Sequence, residues 1–156
     1  MKKVLMFLLL GLLMFSPSSF AESKYVYIMD CTVGPVYVDI LSINQIDEST
    51  DQDTMIGYDC VIGVKLNDAG QYNFKEKMLS PQPIKYLVFP ISFRELNGAL
   101  YKCNSVYYGF TADNTRYTLD VRGTEENTYI NVSEEYEFRM MFEKVNQTYM
   151  KWSDSQ

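Results

Sequence analysis

From Cys60 to Leu66 the apolar residues Cys60, Ile62, Val64 and Leu66 occupy every second position, and the alternation stops abruptly at Asn67-Asp68. A period of two is that of a half-buried strand. Asn67 and Asp68 can each accept a hydrogen bond from the free N–H groups of a first helical turn. Ala69, Tyr72 and Met78 then follow at roughly helical intervals, and Ser80-Pro81-Gln82-Pro83 ends the helix because proline lacks the N–H. A strand that runs straight into a helix forces the helix back onto the sheet, so this joint restricts the fold before any other segment is read.

The other segments fit around that joint. Lys24 to Met29 and Val36 to Asn44 alternate as strands, with Gly34-Pro35 between them. Lys85 to Phe93 places Leu87, Phe89, Ile91 and Phe93 on one side and Tyr86 and Val88 on the other, and Pro90 predicts an edge position or a bulge. Asn97-Gly98 is a hairpin turn, since both residues tolerate positive φ, and it returns the chain into a strand over Ala99 to Tyr108. Arg116 to Val121 and Thr128 to Val132 read as a last pair of strands across a turn at Gly123 to Asn127. The final helix has Ser133 as its expected N-cap and Glu134 and Glu135 at the positive end of its macrodipole. Phe138, Met141, Phe142, Val145, Tyr149 and Trp152 then form one apolar stripe. These elements predict one α+β domain, an antiparallel or mixed sheet with two helices packed on one face.

Lys2 and Lys3 precede an apolar run from Val4 to Phe15, and Ser19-Phe20-Ala21 offers the small residues that a signal peptidase reads. The expectation is a secretory signal peptide over residues 1–21, cleaved after Ala21, and a single periplasmic domain over 22–156 with no stable membrane insertion. Cleavage removes two lysines and no acid, so twelve basic residues would face 20 acidic ones, a net charge of −8. Phosphate backbones demand clustered Lys and Arg, which excludes nucleic acid as the expected partner and favours a basic protein.

The chain has no histidine. Ser-His-Asp and Cys-His catalysis and histidine-rich zinc sites are therefore excluded in their usual forms. No catalytic, cofactor or metal residues are assigned. Glu125 and Glu126, adjacent in a turn, are the carboxylates that a cell-wall hydrolase could use. Cys31, Cys60 and Cys103 would meet an oxidising compartment, where a disulfide is the default. All three pairings are open, and the strand position of Cys60 favours Cys31 with Cys103.

Two stretches suggest contact surfaces. Gln45 to Ile56 carries Asp47, Glu48, Asp51 and Asp53 among Ser, Thr and Gln, and reads as a solvated loop. It lacks the glycine and closing glutamate of a calcium loop. Tyr107, Tyr108 and Phe110 arrive together at a strand end, either as the lid of the core or as an aromatic recognition patch.

The order of elements also resembles the head part of the first periplasmic domain of SecD and SecDF translocase subunits. There a strand ends in Leu and is followed by a polar or acidic residue, Gly, a spaced Phe and a helix, matched here by Leu66, Asp68, Gly70 and Phe74. The resemblance implies the fold. A head domain without a membrane motor cannot couple to proton flow, so it implies action by binding. The expected function is that of a periplasmic immunity or inhibitor protein occluding a secreted toxin or cell-wall-targeting enzyme. An accessory subunit of an envelope assembly is the alternative, and the carboxylate hydrolase comes after it.

Overall fold

The structure, a computed structural model, describes residues 25–121 and 128–156. In chain order its elements are β1 (Tyr25–Cys31), β2 (Gly34–Asp39), a 3₁₀ turn (Ile40–Ser42), β3 (Asn44–Asp47), β4 (Met55–Lys65) and α1 (Asp68–Lys77). Then come β5 (Tyr86–Leu96), β6 (Ala99–Cys103), β7 (Val106–Phe110), β8 (Arg116–Asp120), β9 (Ile130–Asn131) and α2 (Tyr136–Ser153). Nine strands form one sheet whose main path is β1-β2-β4-β5-β6-β9, with β3 beside β4 and β7 and β8 beside the other end of β5. Every pairing is antiparallel.

The register shows why one face becomes the core. Tyr58, Cys60, Ile62 and Val64 lie opposite Phe93, Ile91, Phe89 and Leu87, and Val36 and Val38 join them from β2. All ten are buried. Both helices cover this inner face. Met141, Phe142 and Val145 are the buried residues of α2, and the Phe142 ring lies 5.8 Å from Tyr58 and 5.9 Å from Phe93. The Tyr58 hydroxyl donates to Asn146 Oδ1 at 2.6 Å. Phe74 brings α1 onto the same face through Tyr107, which stacks in turn on Phe89 at 4.7 Å. The expected α+β fold with two helices on one face is the one observed.

The joint between β4 and α1 is held by Asn67. Its Oδ1 accepts the Gly70 N–H at 2.9 Å, as an N-cap does. Its own N–H donates to Val33 O and its Nδ2 to Thr32 O, which ties the β1–β2 turn to the helix start. Gly34 in that turn has φ +139°, and a Cβ there would stand 2.1 Å from the Lys65 carbonyl oxygen. Only glycine satisfies both the backbone conformation and that approach.

Several sequence expectations change. The strand expected over 36–44 ends at Asp39, because the chain turns at 40–42. There Ser42 donates its hydroxyl to Asp39 O and accepts the Val61 N–H. The strand expected over 99–108 is two strands: β6 pairs with residues 92–96 of β5, and β7 leaves to pair with residues 86–88. Pro90 lies inside the long central strand, opposite Val61. It is tolerated because β7 pairs β5 only as far as Val88 and β6 starts at Ser92, so no ladder bond is required from residue 90 on that side. The last two strands do not pair with each other, since β8 pairs with β7 and β9 with β6.

Ser133 is not the N-cap of α2. Its hydroxyl accepts the Leu100 N–H at 2.9 Å, extending the contact of β9 with β6, and the helix begins at Tyr136. The structure holds Cys31, Cys60 and Cys103 as unbridged thiols. Cys31 lies opposite Gly34, in step with the inner-facing pair Met29 and Val36. Cys103 lies opposite Ser92, between the inner-facing Ile91 and Phe93, and so belongs to the outer face. The Cys31 thiol donates to Gly34 O instead. Cys60 faces inward, as its alternation predicts, and burial raises its pKa.

Candidate interaction surface

The same register that sends one set of side chains into the core sends the alternate set outward, and among the described residues no helix covers that outer face. One lateral row crosses six strands: Tyr27 opposite Tyr37, Tyr37 opposite Gly63, Gly63 opposite Val88, Val88 opposite Tyr108, and Tyr108 opposite Thr118. A second row runs Lys65, Tyr86, Phe110, Arg116. A third runs Ile46, Gly57, Arg94, Tyr101, Asn131. Tyrosine recurs in all three.

The aromatic and charged side chains of this face hold one another. Tyr27 and Tyr37 meet edge to face with ring centroids 5.9 Å apart, and Tyr27 remains 53% exposed. The Arg116 guanidinium lies over the Tyr108 ring at 5.6 Å, and that of Arg94 lies over Tyr129 at the same distance. Arg94 Nη1 also reaches Asp59 Oδ1 at 2.9 Å. The stem of Arg94 crosses Gly57, where a Cβ would stand 2.6 Å from its Cδ. Fixed aromatic rings with polar tips supply contact area at a small entropic cost, which is the chemistry of a recognition surface.

The expected contact residues are distributed differently from the sequence reading. Asp47, the last residue of β3, and Glu48, Asp51 and Asp53 on the β3–β4 connection are all exposed. That connection is an ordered turn rather than a flexible loop. Thr50 N–H donates to Asp53 O at 2.7 Å, Glu48 N–H to Met55 O, and Asn97 Nδ2 to Asp53 Oδ1 at 2.7 Å. Hydrogen bonds from Ser49 hold the Asp47 carboxyl below its usual pKa. The turn is thereby docked on the Asn97-Gly98 hairpin.

Tyr107, Tyr108 and Phe110 do not form one patch. Tyr107 faces inward between Phe74 and Phe89, where burial raises its pKa. Tyr108 faces outward, and Phe110 is buried beside Tyr86 in the register. The acidic turn adjoins Leu96 and β7 pairs at Val88, so the two expected surfaces stand about 25 Å apart along β5 at strand rise. Sequence reasoning missed Tyr27, Tyr37, Tyr86 and Tyr101. Their signal was present as the polar-tipped half of each alternation, but adjacency in sequence drew attention to residues 107–110.

Of the remaining candidates, Glu125, Glu126 and the proposed signal peptide lie outside the described residues. Among the described residues no three Cys, Asp or Glu side chains converge as a metal site would require, and no helix is long and apolar enough to cross a membrane. Lys102, Asn104 and Tyr107 form a polar cluster at the edge of the inner face. Lys102 Nζ stands 4.0 Å over the Phe138 ring and 3.3 Å from Asn104 Oδ1, and burial lowers its pKa. No family model, curated protein or solved structure matches the chain.

Proposed function

We propose that this protein is an exported, non-enzymatic binding protein of the immunity or inhibitor kind. It docks a basic secreted toxin or cell-wall enzyme and occludes its active site. The observation that carries the reading is the outer face of the sheet, where Tyr27, Tyr37 and Tyr108 share one row across Gly63 and Val88, and Tyr86 and Tyr101 stand in the rows on either side. Aromatic-rich, partly polar faces of this kind are what protein interfaces select. The exposed acidic turn at one end of the face supplies the charge that accelerates encounter with a basic partner.

The test is co-expression with each secreted protein encoded in a neighbouring reading frame. Protection from that protein's toxicity, together with a stoichiometric soluble complex, is the expected result. Protection that disappears with Glu125→Gln and Glu126→Gln at unchanged complex formation would point to an enzyme. Recovery of a membrane complex and no soluble partner would assign the chain to an envelope assembly.

A further inference from the structure

An open groove of about 410 Å³ lies between the first half of β1, the 3₁₀ turn and the C-terminal half of α2. Its apolar lining comes from Val26, Ile28, Ile40 and Trp152, with Tyr27 at the side that joins the outer face. The helix contributes Lys144, Gln147, Thr148 and Lys151, the offsets i, i+3, i+4 and i+7, which is a second stripe beside the one that enters the core. The volume falls within the range of small-molecule sites, roughly 300 to 1,000 Å³.

The charge of this groove runs against that of the chain. The protein has a net charge of −6, yet the ammonium and carboxylate groups lining the groove are two lysines and no acid. They stand two helical turns apart, about 10 Å. Among the described residues neither lysine pairs with a carboxylate, and Lys144 reaches only Gln147 Oε1 at 3.3 Å. The helix macrodipole accounts for Lys151 in the last turn, but its influence fades within that turn and does not reach Lys144.

We infer that this groove binds a small single-chain amphipathic anion, its hydrocarbon part against Val26, Ile28, Ile40 and Trp152 and its acidic head between Lys144 and Lys151. The groove meets the tyrosine face at Tyr27, and its ligand is of a different chemical class from the protein partner proposed above.

Trp152 is the chain's single tryptophan, so it reports occupancy directly. Titrating the full chain with sodium dodecanoate below its micellar concentration should give a saturable blue shift of Trp152 emission. Lys144→Gln with Lys151→Gln should weaken that binding at least tenfold while leaving the circular dichroism spectrum and melting temperature unchanged. Dodecyltrimethylammonium should give no saturable shift. The inference is overturned by an equal response to the cationic amphiphile, by unchanged dodecanoate affinity in the double variant, or by no shift at all. It is also overturned if an acidic, apolar hexapeptide saturates the groove where dodecanoate does not.

Discussion

Replacing Tyr58 by phenylalanine isolates a side-chain hydrogen bond that ties α2 to β4. Tyr58 is fully buried, its hydroxyl donates to Asn146 Oδ1 at 2.6 Å, and its ring sits 5.8 Å from Phe142 and 5.7 Å from Tyr149. Phenylalanine keeps the ring contacts and removes only the hydroxyl. A net hydrogen bond is worth about 0.5 to 1.5 kcal/mol. Asn146 is half-buried, so its freed carbonyl can still reach water and the cost should remain within that range. For a domain of this size, at about 3 to 5 °C per kcal/mol, that corresponds to a fall in melting temperature of about 2 to 7 °C. Tyr58→Ala also removes the ring and should cost about 3 to 5 kcal/mol.

Urea unfolding followed by Trp152 fluorescence and by far-ultraviolet circular dichroism measures both variants. A double-mutant cycle with Asn146→Ala then separates the pair from its surroundings, and the predicted coupling is about 1 kcal/mol. Additive single effects would show that the two side chains do not interact. A Tyr58→Ala variant of normal stability would refute the packing of α2 on β4 altogether.

Two further perturbations probe the frame. Gly34→Ala forces a side chain into a positive φ and against the Lys65 carbonyl oxygen, and should destabilise by about 2 to 4 kcal/mol in the same urea assay; a neutral effect would mean that the β1–β2 turn does not press on the end of β4. Stability should fall as pH rises, from about 8.5 through the buried Cys60 thiol and from about 10 through the phenols of Tyr25, Tyr58 and Tyr107, because burial raises the pKa of each. These groups hold their protons longer folded than unfolded, so their contribution is complete below the unfolded values and is lost through the folded ones. Lys102, lowered by burial, acts in the opposite sense as a single group. A stability profile flat to pH 11 would contradict the burial of those phenols.

The parts of the fold legible in the sequence are those where a local pattern and a buried face coincide. The alternation from Cys60 to Leu66 and the stripe from Phe138 to Tyr149 each specify which side is apolar, and the structure packs those sides into the core, while Asn67 caps the helix as its type predicts. What was not legible depends on pairing between distant segments. Nothing local separates a continuous strand over 99–108 from two strands that take different stretches of β5. Pro90 reads as an edge signal until the gap between β6 and β7 is known. Ser133 is a good cap by type, but the Leu100 backbone claims its hydroxyl. The candidate surface was hidden for the same reason. Tyr27, Tyr37 and Tyr108 lie far apart in sequence, and only the register of four strand pairings brings them into one row.

That row is the centre of the functional proposal, and three substitutions examine it without touching the core. The variant Tyr27→Ser, Tyr37→Ser, Tyr108→Ser should be titrated calorimetrically against the secreted partner recovered by co-expression, in parallel with the unaltered chain. A loss of at least a hundredfold in affinity, with the inner-face packing of Tyr58 and Phe142 intact by near-ultraviolet circular dichroism, is the predicted result. Unchanged affinity in a folded variant would contradict the assignment of the outer face as the binding surface.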